Sequence, residues 1–167
     1  GGDVAAMVQT DPPYGVDYSG QTESMFYGTD KPGRSRARID GDMTPQDAEV
    51  LTARALSEHI APLLFLWCAP QYHDIAKRCA AQAGYTVFSV IVWNKNHANF
   101  GAMGARYKPK YEMALACKRD KIPWYGPDNE VTVWDIDRAA VNDLHPTQKP
   151  VPLFERAISN HTQAGEI

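Results

Sequence analysis

The sequence predicts an α/β fold, a mostly parallel sheet with flanking helices. Three observations predict it. The runs Val4–Thr10 and Leu63–Cys68 are apolar throughout rather than alternating, as in strands covered on both faces. Segments with helical spacing lie between such runs, and strand–helix alternation implies a parallel sheet. Prolines and glycines punctuate the segment ends, at Pro12-Pro13, Pro62 and Gly84.

Each element has its own signal. Val4–Thr10 reads as a short buried strand stopped by Asp11-Pro12-Pro13, because two prolines cannot extend a hydrogen-bonded ladder. Residues 15 to 43 hold Gly15, Gly20, Gly28, Gly33 and Gly41 among several charges and read as a long loop. Thr44-Pro45 opens a helix: Thr44 can cap, Pro45 suits the first helical position, and Asp47 complements the positive helix end. Its predicted inner face is Ala48, Leu51, Ala55 and Ile60. Leu63–Cys68 is a second buried strand. Tyr72, Ile75, Ala76, Cys79 and Ala83 follow helical spacing up to Gly84, a natural stop. Tyr85–Trp93, rich in Val, Ile, Phe and Tyr, is a third strand and Tyr111–Cys117 a fourth, with Val131–Trp134 a short addition. A last helix spans Pro152–Thr162, with Leu153, Phe154, Ala157, Ile158 and His161 along one side.

The 167 residues, 44% hydrophobic, suffice for one domain over 1–167 with a real core. There is no internal repeat, low-complexity tract or convincing linker. No apolar run approaches the roughly 20 residues of a membrane span, and the first ten residues carry an acid and no basic cluster, so a cytoplasmic protein without a secretory signal is expected. Cys68, Cys79 and Cys117 have apolar neighbours and no metal-ligand spacing; buried reduced thiols, and no metal, are expected. The net charge of −3 counts against nucleic-acid binding, but Lys31, Arg34, Arg36 and Arg38 fall within eight residues. That group reads equally as a DNA-contacting patch or a solvated loop.

The strand end at Asp11 carries the chemistry. Ligands of open α/β sheets bind beyond the carboxyl ends of the strands. There the Asp11 carboxylate and the Pro12 carbonyl supply two acceptors on a backbone stiffened by Pro12 and Pro13. Two fixed acceptors suit a group with two N–H bonds, such as an exocyclic amine, and Tyr14 offers a face on which a base can stack. Gripping both amine hydrogens favours a pyramidal nitrogen whose lone pair can meet an electrophilic methyl group, so no cysteine nucleophile is needed. A duplex base must be flipped to reach such a site, at a cost of a few kcal/mol. The competing reading of Asp-Pro-Pro-Tyr is a rigid surface turn.

Asp11-Pro12-Pro13-Tyr14 after an apolar strand resembles the catalytic motif of S-adenosylmethionine-dependent N6-adenine and N4-cytosine DNA methyltransferases. Trp93-Asn94-Lys95, Arg106-Tyr107-Lys108 with Tyr111-Glu112, Val133-Trp134-Asp135-Ile136, and His145-Pro146-Thr147-Gln148-Lys149-Pro150 are similar to later segments, in the order of that family's permuted "beta" group. The resemblance implies a partial Rossmann-like methyltransferase fold and a cytoplasmic, bacterial or phage-type DNA-methylating enzyme of the restriction-modification kind. It implies that Asp11, Pro12 and Pro13 orient the amine and Tyr14 stacks on the flipped base. Thr10, Asp11, His145, Thr147, Gln148 and Lys149 would hold S-adenosylmethionine, with His145 and Lys149 readable also as helix-start and surface residues. Asp in the first motif position leans toward adenine. The family's Phe-x-Gly-x-Gly loop has no counterpart before Ile167, so the resemblance implies a fragment whose first strand has an open edge inviting self-association. Two other readings stand: a catalytically silent DNA-binding or assembly module derived from such an enzyme, and a methyltransferase acting on RNA or a protein amide. Pro123-Trp124-Tyr125-Gly126-Pro127 either inserts aromatics into DNA or packs on the sheet.

Overall fold

The computed structural model describes residues 5–13, 44–59, 61–97, 107–108, 110–138 and 148–166. The elements are β1 (Met7–Thr10), α1 (Pro45–Glu58), β2 (Leu63–Cys68), α2 (His73–Gln82), β3 (Thr86–Asn94), β4 (Tyr111–Lys118), β5 (Val133–Asp135) and α3 (Val151–His161), with a 3₁₀ turn at Pro70–Tyr72 leading into α2. Three of the four predicted long strands and both later helices form within a residue or two of their expected bounds; β1 ends at Thr10 as expected but begins at Met7, three residues after Val4.

The sheet order is β1-β2-β4-β3-β5. β1 runs parallel to β2 from Met7↔Leu63 to Thr10↔Leu66, and β3 runs parallel to β5. β4 is antiparallel to both β2 and β3. Four of the five strands thus point one way, and the sheet is mostly parallel in direction with one reversed strand in its centre. No helix-length periodic segment lies between β3 and β4 in the sequence, and an antiparallel return needs no crossover helix. The carboxyl ends of β1, β2, β3 and β5 and the start of β4 consequently meet along one margin.

Strand alternation divides β2 between two cores. Leu64, Leu66 and Cys68 face α1 and α2, where they pack with Leu56, Ala76, Cys79, Ala80, Leu115 and Cys117. Leu63, Phe65 and Trp67 face α3 and meet Trp93, Ala114, Trp134, Leu153 and Ala157. Trp67, Trp93 and Trp134 are among the largest fully buried side chains. All three cysteines are buried and free, as the apolar neighbours suggested.

Local signals act where expected. The Thr44 hydroxyl accepts from Asp47 N–H at 3.2 Å, capping α1. Gly84, at φ 81°, ends α2: its N–H bonds to Ala81 O (3.0 Å) and that of Tyr85 to Ala80 O (2.9 Å), a left-handed termination that a side chain would strain. Two helix faces differ from expectation. In α1 the buried residues are Ala48, Thr52 and Leu56, whereas Leu51 is exposed, as is Ala55; Ile60 lies outside the described residues. Val50 and Leu51 blur the apolar stripe, and contact with the sheet selects the i, i+4, i+8 line through Thr52 instead. In α3 Ile158 is exposed, and Asn160 is buried beside Leu153, Ala157 and His161. The reason is polar: Asn160 meets Glu130, and its carbonyl receives Tyr125 N–H at 2.8 Å. No helix among the described residues is long and apolar enough to cross a membrane.

Candidate active site at the strand ends

Asp11 follows β1 directly, at the margin where the strand ends meet. Met7 packs toward α3, so alternation turns Gln9 and Asp11 to that face as well. The Asp11 carboxylate accepts a hydrogen bond from the Lys149 ammonium. Lys149 lies just before α3, and its side chain is only 6% exposed. Its Nζ is 3.2 Å from Glu112 Oε2, and Glu112 Oε1 accepts from Lys95. Four charges of alternating sign therefore run Asp11, Lys149, Glu112, Lys95 across the sheet margin. The two ammoniums also rest near aromatic faces, Lys149 5.6 Å from the Trp67 ring centre and Lys95 5.0 Å from that of Trp93.

Burying such groups is costly unless each finds a counter-charge. Burial works to raise the Glu112 carboxyl, but the Lys149 charge and the Lys95 hydrogen bond outweigh it, holding Glu112 below the ordinary carboxylate range and ionised. Cys68, at the end of β2, behaves oppositely: burial first, then the Asp11 charge, push its thiol up to about 12 against the pull of Lys149. It is a neutral thiol at physiological pH and no nucleophile.

Pro12 and Pro13 border a small hollow on the other side of the sheet, under Thr52, Tyr72 and Ala76. A cavity of about 420 Å³ lies elsewhere, near the start of β3, between Phe88, Trp124, Asp128, Trp134 and His161. Volume points to that cavity and chemistry to the strand ends. We place the site at the strand ends, because the larger cavity touches none of Asp11, Pro12, Glu112 or Lys149 and sits away from the carboxyl margin. The Trp124–Tyr125 segment packs on α3, with Trp124 edge-on to His161 at 5.1 Å and the His161 Nδ1–H donating to the Pro123 carbonyl at 2.9 Å.

Of the residues expected to matter, Asp11 and Lys149 come together from opposite ends of the chain. Thr10 is half-buried in β1, and Gln148 is exposed beside Lys149. Tyr14, Lys31, Arg34, Arg36, Arg38, His145 and Thr147 lie outside the described residues. Glu112 and Lys95 had no assigned role in the sequence. Their signal was present, however: one charge directly after an apolar strand and one just inside the start of the next, where burial demands a partner.

No established family profile matches the chain, and no curated protein matches it in sequence. Solved structures do. The crystal structure of the M1.HpyAVI–SAM complex superposes with a TM-score of 0.64 at 21% identity, over 98% of this chain and 68% of that one. The crystal structure of M1.HpyAVI gives 0.62 at 19% identity, over the same 98% and 68%. The chain has the Rossmann-like α/β fold of these structures. In that fold the Asp11 margin is the carboxyl end of the sheet, the side on which open α/β sheets take their ligands.

Proposed function

We propose that the chain is the catalytic part of an S-adenosylmethionine-dependent DNA methyltransferase that modifies the exocyclic amine of a flipped base, with adenine N6 the favoured target. The observation that carries this reading is the meeting of Asp11 with Lys149, one residue from each of the two sequence motifs, across the length of the chain. Support for the cofactor comes from the neighbour crystallised with SAM and from the polar atoms at the margin. Lys149 is a cation suited to a carboxylate. The Gln9 carboxamide and the Trp67 indole N–H, on the same face, are buried without a hydrogen-bond partner among the described residues. Orphaned buried polar atoms are uncommon and fit a polar ligand lying against them. The bound cofactor would supply an electrophilic methyl group on a sulfonium.

The protein's own part is positional. The Asp11 carboxylate and the Pro12 carbonyl accept the two amine hydrogens and turn the nitrogen lone pair toward the methyl carbon. As nitrogen gains the methyl, Asp11 lies next to the proton that nitrogen must lose and can receive it. Tyr14 stacks on the ring, and Lys31, Arg34, Arg36 and Arg38 contact DNA phosphates.

Two measurements test the proposal. Calorimetric titration with S-adenosylmethionine should give heat; none would favour the silent-module reading. With labelled cofactor and duplex DNA, Asp11→Ala should lower transfer by about 10²-fold or more with the circular dichroism spectrum unchanged. Full transfer by Asp11→Ala would remove Asp11 from the mechanism, and label found only in RNA would change the substrate.

A further inference from the structure

Lys149 donates to the same Asp11 carboxylate that the reading above assigns to the substrate amine. An ammonium there competes for the oxygen lone pairs and cancels the charge that attracts the amine hydrogens. Resting on that reading, we propose that Lys149 is a positioning residue with two stations, one on Asp11 and one on the cofactor carboxylate, so that cofactor binding draws it off Asp11 and yields the oxygen lone pair it occupied to the target base.

Three features make the second station accessible. An ammonium has three donors, so Lys149 can change one partner while keeping another. Glu112 is the partner it keeps: it lies 3.2 Å from Nζ and is itself fixed by Lys95, whose side chain is 3% exposed. The Trp67 face lies 5.6 Å from Nζ and favours the cation over the sheet, and the Gln9 carboxamide and Trp67 N–H, without a partner among the described residues, give an incoming polar ligand further hydrogen bonds on that face. The shift transfers no proton and leaves the charge of Asp11, Lys149 and Glu112 unchanged. It exchanges one carboxylate for another on a single ammonium.

The consequence is coupling: cofactor and base each raise the other's affinity by one common factor. The readout is the affinity difference between an adenine-containing single-stranded oligonucleotide and its abasic counterpart, measured by fluorescence anisotropy on the full chain. S-adenosylhomocysteine, which cannot methylate, should increase that difference by at least about fivefold. 5′-Methylthioadenosine, which lacks the carboxylate, should leave it unchanged. In Lys149→Met the difference without added ligand should rise, and the coupling should fall to about one. Glu112→Gln is the second variant: without the shared carboxylate charge Lys149 leans more strongly on Asp11, so the unliganded difference should fall and the coupling grow. Equal coupling in the wild type and Lys149→Met, or an effect of 5′-methylthioadenosine matching that of S-adenosylhomocysteine, would overturn the proposal. A wild-type chain that binds both probes without coupling refutes the two stations alone; one that binds neither refutes the functional reading beneath them.

Discussion

Two ion networks in this molecule have nearly the same composition and opposite character. On the outer side of the helices, Arg78 of α2 holds Glu49 of α1 at 2.9 and 3.1 Å and Asp74 at 3.0 Å. At the strand margin, Lys149 and Lys95 hold Asp11 and Glu112. The outer network sits in water: its hydrogen bonds lower both carboxyls, but solvent screens the pairing and the helices would dock without it. The margin network has its ammoniums almost entirely buried, at 6% and 3% exposure, and each charge there depends on the next. A fold gains little from buried ion pairs that apolar residues could replace. Their presence at the carboxyl margin is what recommends it as the candidate site.

The contrast can be broken by substitution. The largest stability effect is expected from Lys95→Met, which strips Glu112 of one partner. Breaking a fully buried pair costs about 3–5 kcal/mol, and because Glu112 keeps Lys149 and is 24% exposed, about 2–3 kcal/mol is expected by urea unfolding. Adding Glu112→Leu to Lys95→Met should restore part of that loss, since an apolar residue then replaces the under-paired carboxylate while Lys149 keeps Asp11. A double variant no better than the single one would mean that the pair itself, rather than its desolvation, stabilises the fold.

A smaller effect depends on pH. The folded Glu112 carboxyl lies below its ordinary value of 4.5. Its contribution is therefore fully present above about pH 4.5 and is lost as pH falls through the depressed folded value. The stability gap between wild type and Glu112→Gln should be constant from neutral pH down to about 4.5 and close below it. A gap that persists undiminished at lower pH would place the Glu112 effect in packing. The smallest effect sharpens the contrast from the other side: Arg78→Met should leave the thermal midpoint unchanged at neutral pH, and a clear drop would mean that the outer network does more than decorate the helices.

How far the site was legible depends on sequence separation and on side-chain ambiguity. Asp11 was legible as a candidate, because a carboxylate and two prolines straight after an apolar strand read either as an amine-binding strand end or as a rigid surface turn. Lys149 was expected at a cofactor and is found on Asp11, a partner 138 residues away that no local pattern names. Glu112 and Lys95 were visible as charges flanking strands, yet only the reversed course of β4 brings the start of that strand to the carboxyl margin beside the end of β3. The α1 face was misassigned because Leu51 and Thr52 compete for the same turn, and propensity cannot say which one the sheet will cover.

The sequence by itself determined the strands, the Thr44 cap, the stop at Gly84 and the burial of the three cysteines, since each follows from the preferences of neighbouring residues. Tertiary structure decided the order of the strands, the direction of β4, which helix residues face inward, and the alternation of charges from Asp11 to Lys95. Those depend on contacts between distant segments, where the cost of burying an unpaired charge selects the arrangement in which every charge meets its opposite.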